Sequence, residues 1–210
     1  MAGKTFGKTP DGDILRPKSS QSRKKPRKVT AESLERAALH YLERYASSAV
    51  NLRRVLMRRV LRAAEAHGSE PADGAVLVDD LVARFRQGGL LDDATYARLR
   101  AESLHRQGAS RRLTRSKLAA KGVDGEDIGL ALAALEDIAP EPDLAAACHY
   151  ARRRRLGPWR RAGRAESRQR DLAALGRQGF SYEVARTIID APDRDALEAT
   201  ARGDVADGSL

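Results

Sequence analysis

Cysteine occurs once in this chain of 210 residues, at Cys148. One thiol excludes a disulfide framework within a monomer and fits a reducing compartment. Aromatic residues are scarce as well, at 4%, so the 41% of hydrophobic residues must build a core mainly from Leu, Ala and Val, which suits helices. No stretch approaches the roughly 18 apolar residues of a membrane span, and the N-terminus lacks the apolar run of a signal peptide. The expected location is cytoplasmic, with no membrane partner. No segment alternates apolar and polar residues with the period of a half-buried strand, which predicts an all-α fold. The Gly-Lys-Ser/Thr phosphate loop and the Gly-x-Ser-x-Gly nucleophile elbow are missing. His40, His67, His105 and His149 never meet a second ligand at helical metal spacing, and neighbours Cys148 and His149 point apart on a helix. No catalytic residue, metal, cofactor or small-molecule substrate is expected. Cys148 falls on an apolar stripe and reads as a small core residue.

Lysine is the remaining shortage, and it is local. Residues 1 to 30 hold six of the eight lysines, while the rest of the chain uses 28 arginines with Lys117 and Lys121. The tail has nine bases against Asp11 and Asp13, which accounts for +7 of the net +10. With Pro10, Pro17, Pro26 and little apolar surface, it cannot offset the entropy of ordering and is expected to be a disordered basic tail. Arginine in the body matters more, because its fork matches carboxylates and phosphates and tolerates interfaces better than an ammonium.

Those arginines arrive in blocks separated by acids. Arg53, Arg54, Arg58, Arg59 and Arg62 are followed over residues 63 to 80 by Glu65, Glu70, Asp73, Asp79 and Asp80 with no Lys or Arg. A second block runs through Arg98, Arg100, Arg106, Arg111, Arg112, Arg115, Lys117 and Lys121, and is followed by acids from Asp124 to Asp143. The third contains Arg152 to Arg155, Arg160, Arg161, Arg164, Arg168 and Arg170 before Asp190, Asp193, Asp195 and Glu198. A unit recurring every few tens of residues marks a repeat architecture, in which neighbouring helices bury one another's apolar faces.

Helical spacing and punctuation divide the body into nine helices. Leu34, Ala38, Tyr41, Leu42 and Tyr45 form one stripe, Leu52, Val55 and Leu56 begin a second, and Val78, Leu81, Val82 and Phe85 make a third. Asp92 caps a fourth helix carrying Tyr96 and Leu99, Ser110 a fifth ending at Lys121 and Gly122, and Asp124 a sixth with Ile128, Ala131, Leu132 and Leu135. Leu144, Ala147, Cys148 and Ala151 mark the seventh, Leu172 and Leu175 the eighth, and Ser181 caps a ninth through Ile188 and Ile189. The fifth has the poorest stripe. The predicted organisation is a tail over 1–30, three three-helix repeats over 31–91, 92–140 and 141–192, and an acidic tail over 193–210. Tandem units predict an elongated body of undetermined curvature. Lys121-Gly122-Val123-Asp124 and Gln178-Gly179-Phe180-Ser181 match in kind, as generic helix punctuation or as repeat homology.

Four segments in this order resemble the RecX family of bacterial recombination regulators. They are Ala38-Leu39-x-Tyr41-Leu42-x-Arg44 leading to Leu52-Arg53-Arg54-Val55-Leu56; Gly89-Leu90-Leu91-Asp92-Asp93 with Tyr96-Ala97; Arg111-Arg112 ahead of Leu118 and Lys121 to Asp124; and Gly179-Phe180-Ser181-Tyr182-Glu183-Val184. The resemblance covers roughly residues 34 to 190. It implies a cytoplasmic protein of tandem three-helix repeats that lies in the groove of the RecA filament on DNA, bridges protomers and limits filament growth. The N-terminal tail and the Gly157-Pro158-Trp159 stretch depart from the family's core pattern, and Thr114 stands where an aliphatic residue is expected.

The candidate partner-binding residues, for RecA or DNA phosphate, are Arg53, Arg54, Arg58, Arg59, Arg111, Arg112, Arg115, Arg152, Arg153 and Arg155. Four consecutive helical residues point in every direction, so at most two of Arg152 to Arg155 can face one partner; a solvated helix end favoured by the helix dipole is the competing reading. Trp159 could stack on a base, but beside Gly-Pro it reads as a packing plug. Asp92 and Asp93 read as capping residues rather than a catalytic pair. The rival function is a stand-alone helical DNA-binding protein, its tail and arginine blocks holding DNA, single- or double-stranded, without a protein partner.

Overall fold

Six side chains begin helices in this chain. Thr30, Ser48, Asp92, Ser110, Asp124 and Ser181 each accept a hydrogen bond from a backbone N–H in the first turn of the helix that follows, satisfying a donor with no intrahelical partner. Pro71 and Pro142 open two more helices, at positions where a missing N–H is harmless. The computed structural model describes residues 27 to 202, so the basic tail expected over residues 1 to 30 lies outside the described residues except for its last four.

Among the described residues there are ten α-helices and no strand. The first unit comprises α1 (Ala31–Leu42), α2 (Ala49–His67) and α3 (Pro71–Gln87); the second α4 (Asp93–Arg106), α5 (Arg111–Ala120) and α6 (Gly125–Ala133). The third has α7 (Pro142–Arg154), α8 (Arg164–Arg177), α9 (Tyr182–Asp190) and α10 (Arg194–Arg202), with a 3-10 turn Gly157–Trp159 between α7 and α8. Each unit has its own apolar cluster. One is centred on Leu34, Leu52, Leu56 and Val78, the next on Ala97, Leu118, Ile128 and Leu132, and the last on Ala147, Leu175, Phe180 and Ile188. Burial of such faces, rather than intrinsic propensity, holds short helices together.

Three sequence expectations need correction. The chain does not turn into an acidic tail at residue 193, because α10 packs on α7 and puts Leu197 and Ala201 into the third core. Tyr45 does not continue the first apolar stripe: α1 stops at Leu42, and Tyr45 lies beyond it, 57% exposed. Leu99 is likewise exposed on α4 rather than buried. Trp159, by contrast, packs against the third core as a plug.

Candidate partner-binding surface

The units are joined end to end by a repeated polar contact. At the first joint the Ser48 hydroxyl caps α2 and also donates to the Lys121 carbonyl at the end of α5. The Ala49 N–H, at the start of α2, donates to Asp93 Oδ1 at 2.8 Å. The second joint repeats both bonds one unit further along. Ser110 caps α5 and donates to the Gln178 carbonyl at the end of α8 at 2.7 Å, while the Arg111 N–H donates to Asp143 Oδ1 at 2.7 Å. At each joint the positive end of one helix meets the negative end of another, which is electrostatically favourable, and a first-turn N–H and a terminal carbonyl are each satisfied by a side chain of the neighbouring unit.

This geometry explains the matching tetrapeptides. A Cβ on Gly179 would lie 2.6 Å from Ser110 Oγ, and one on Gly122 would collide with the Val50 side chain. Both glycines also have positive φ, +87° at Gly179 and +79° at Gly122. They stop a helix and admit the next unit. Val123 and Phe180 follow them into the second and third cores. In the other motif, Gly89 turns at φ +71°, Leu90 is exposed, Leu91 is buried in the first core and Asp92 caps α4.

The candidate arginines divide by what their side chains already hold. Arg53 makes a two-pronged contact with Asp79 across α2 and α3, and this hydrogen bond holds the Asp79 carboxyl below its usual range. Arg54 donates to the Ala120 carbonyl at 2.6 Å and clasps the first joint. Arg111 reaches Glu136 at 3.1 Å. Arg152 faces Glu198 of α10 at 3.8 Å, and the Arg153 guanidinium lies 5.8 Å from the Tyr150 ring centroid. Arg155 takes a left-handed conformation, φ 54°, and ends α7. The run from Arg152 to Arg155 therefore splays. Among the described residues, Arg58, Arg59, Arg112 and Arg115 are exposed and form no ion pair. They lie on α2 and α5, successive members of the helix series linked by the joints. The structure does not gather all ten candidates into one cluster.

Three members of the third arginine block, Arg160, Arg164 and Arg168, are scaffolding. Asp171, 1% exposed, accepts two bonds from Arg160 at 2.7 and 2.6 Å and one from the Gly157 N–H at 3.0 Å. Burial alone would raise its pKa, but the Arg160 and Gly157 bonds and the charges of Arg160 and Arg170 outweigh it and hold the carboxyl below the ordinary range. Arg164 donates to the Ile189 and Ala191 carbonyls, and Arg168 grips Asp190 with two bonds of 2.7 Å. Counted back from the joint glycine, Asp171 occupies the same place in α8 as Thr114 in α5; counted from the capping serine, Thr114 matches Leu52 in α2. All three are buried. Thr114 fits by size, with its hydroxyl lacking a hydrogen-bond partner among the described residues.

Residues 92–132, which include the partners of both joints on α4 and α5, match the family model described as RecX, second three-helix domain. The chain is also 45% identical over 175 residues to the regulatory protein RecX of Myxococcus xanthus, an alignment covering 82% of this chain and 92% of that protein. The chain belongs to the RecX family. Regulatory protein RecX of Agrobacterium fabrum is 34% identical over 155 residues, 73% of this chain and 79% of the relative, and that of Thermobifida fusca 30% over 125 residues, 59% and 63% respectively. No solved structure gives a significant match. Several residues important to this RecX-family body escape sequence reasoning: Ser48 and Asp143 as joint residues, Asp93 as a cap for another unit's helix, and Asp171 as a buried anchor. The signal present was the recurrence of Ser before α2 and α5 together with Asp at the start of α4 and α7.

Proposed function

We propose that this RecX-family protein binds the RecA recombinase filament in the cytoplasm and limits its growth, regulating recombination and DNA repair by binding rather than catalysis. The observation that carries this reading is the set of exposed arginines without an ion pair among the described residues, Arg58 and Arg59 on α2 and Arg112 and Arg115 on α5, on helices linked by the first joint. Exposed cationic surface on successive units suits a partner that offers acidic protein surface and DNA phosphate together. Family membership supports the same assignment, since the similar relatives are regulatory proteins. Arg152 and Arg153, already holding Glu198 and Tyr150, are secondary contacts.

The test is ATP hydrolysis by RecA on single-stranded DNA as the protein is added at substoichiometric amounts and physiological salt. Hydrolysis is expected to fall well below one protein per RecA. Unchanged hydrolysis on DNA coated by this protein alone sinks the reading and leaves a stand-alone DNA binder. Deleting residues 1 to 30 separates the two further, sparing RecA binding in the first case and removing most binding in the second.

A further inference from the structure

A groove of about 450 Å³ opens over the first joint, between the C-terminal end of α1 and α4. Its rim carries Tyr41, Tyr45, Tyr96, Arg44, Arg100 and Lys121, and no acidic residue lines it. The Tyr41 and Tyr45 rings lie 5.2 Å apart at a tilt of 39°, and Tyr45 is 57% exposed. Tyr45 lies beyond α1 and belongs to no apolar core, whereas Tyr41 and Tyr96 are half-buried and also pack against the first and second cores. Among the described residues Arg44 and Arg100 form no ion pair. The Lys121 ammonium donates to the neutral Asn51 side chain at 3.2 Å and forms no ion pair among the described residues.

Asn51 organises the floor. Its amide nitrogen donates to the Tyr41 hydroxyl at 3.1 Å and to Ser47 Oγ at 2.7 Å, while its oxygen receives Lys121. One side chain thereby fixes a ring and a cation in place before any ligand arrives. The joint itself does not require this arrangement. Counting from the capping serines and the matching ends of α5 and α8, the second joint places Gln107 for Tyr45, Leu113 for Asn51 and Gln178 for Lys121, yet its backbone bonds are the same.

We propose that this groove binds a single-stranded nucleic acid segment, stacking a base on Tyr45 and setting its phosphates against Arg44, Arg100 and Lys121. An exposed ring beside cations that form no ion pair among the described residues is the pairing that single strands need, since every base has a face to stack and every linkage a charge. An acidic peptide would use the cations but leave the rings largely idle. Because the groove spans the first joint, the strand also clamps the first unit to the second.

The experiment is fluorescence anisotropy of a labelled short oligothymidylate with the full chain, across a salt series. Tyr45→Ala should weaken binding about tenfold with an unchanged salt slope, and Tyr45→Trp should restore it. Arg44→Ala and Arg100→Ala should each flatten the slope by about 0.7. Hydrogen exchange should show new protection at the Ser48 to Asn51 amides when oligonucleotide is bound. Wild-type affinity in Tyr45→Ala, unaltered slopes in both arginine variants, or no oligonucleotide binding overturns the proposal. So does a glutamate-rich peptide that binds more tightly with the same dependence on Tyr45. RecA is absent from this assay, so its outcome is independent of the proposed recombinase contact.

Discussion

Replacing Gly179 with Ala tests whether the repeated joint holds the body together. An alanine there must adopt a left-handed conformation at φ +87°, a cost of roughly 1–2 kcal/mol. Its Cβ would also sit 2.6 Å from Ser110 Oγ. That hydroxyl cannot easily withdraw, because it donates to Gln178 and accepts from the Leu113 N–H at 3.0 Å. Overpacking of this kind adds about 1–3 kcal/mol. Gly68 provides the control: it too is left-handed, at φ +61°, but a Cβ would meet nothing within 4 Å. Gly68→Ala should therefore cost only the conformational term, and Gly122→Ala an intermediate amount, since the exposed Val50 side chain it meets can change rotamer. For a chain of this size each kcal/mol lowers Tm by about 2–4 °C, so Gly179→Ala at ~3 kcal/mol should melt about 6–12 °C below wild type. Circular dichroism gives the melts, and hydrogen exchange at Arg111 to Leu113 locates the damage, which matters because arrays need not unfold in one step. A Gly179→Ala variant no less stable than Gly68→Ala would refute the reasoning.

Asp171→Ala should destabilise the third unit by about 3 kcal/mol, read from urea unfolding, because it strands Arg160 and the Gly157 N–H; a loss under about 1 kcal/mol would mean the pair behaves like a surface contact. Asp171→Leu with Arg160→Met should recover much of that loss, since the equivalent position in α2 is filled by buried Leu52. The folded carboxyl of Asp171 titrates below its ordinary 3.8, so its stabilisation is complete above that value and disappears as pH falls through the lower folded one; Asp171→Asn should flatten this acid limb in denaturation followed between about pH 5 and pH 2. Under the proposed function, Arg58→Glu with Arg59→Glu should weaken suppression of RecA hydrolysis while changing stability by at most about 0.5 kcal/mol. Arg53→Glu differs in kind, placing a carboxylate against Asp79 and lowering the melting temperature of the first unit.

Local signals carried the fold well and the site only in part. Asp92, Ser110, Asp124 and Ser181 announce helix starts because capping acts within one turn of the chain. Gly122 and Gly179 announce stops for the same reason. Helix α10 was missed because Leu197 and Ala201 are its buried apolar anchors in an otherwise charged stretch, too sparse for a stripe. Tyr45 was misread because the helical period continues past Leu42 while the chain does not. The arginine blocks resisted assignment for a deeper reason. Sequence shows a guanidinium but not where its flexible stem reaches: Arg53 and Arg160 find carboxylates on other elements, Arg54 a distant carbonyl, and Arg58 and Arg112 remain available.

Each unit has its own apolar cluster, but the two joints differ. The first is held by polar bonds between helix ends, whereas at the second α4 also packs on α7, with Gly108 against the Tyr150 backbone and His105 Nε2 2.9 Å from the Pro142 carbonyl. Bending at Ser48 perturbs a handful of hydrogen bonds, whereas bending at Ser110 or within a unit would also open close helix packing. Compliance is therefore concentrated at the first joint, and small rotations there change the spacing between Arg58 and Arg115 without exposing a core. A body hinged in this way can adjust that spacing a little to suit a partner, at the expense of the geometry of one joint.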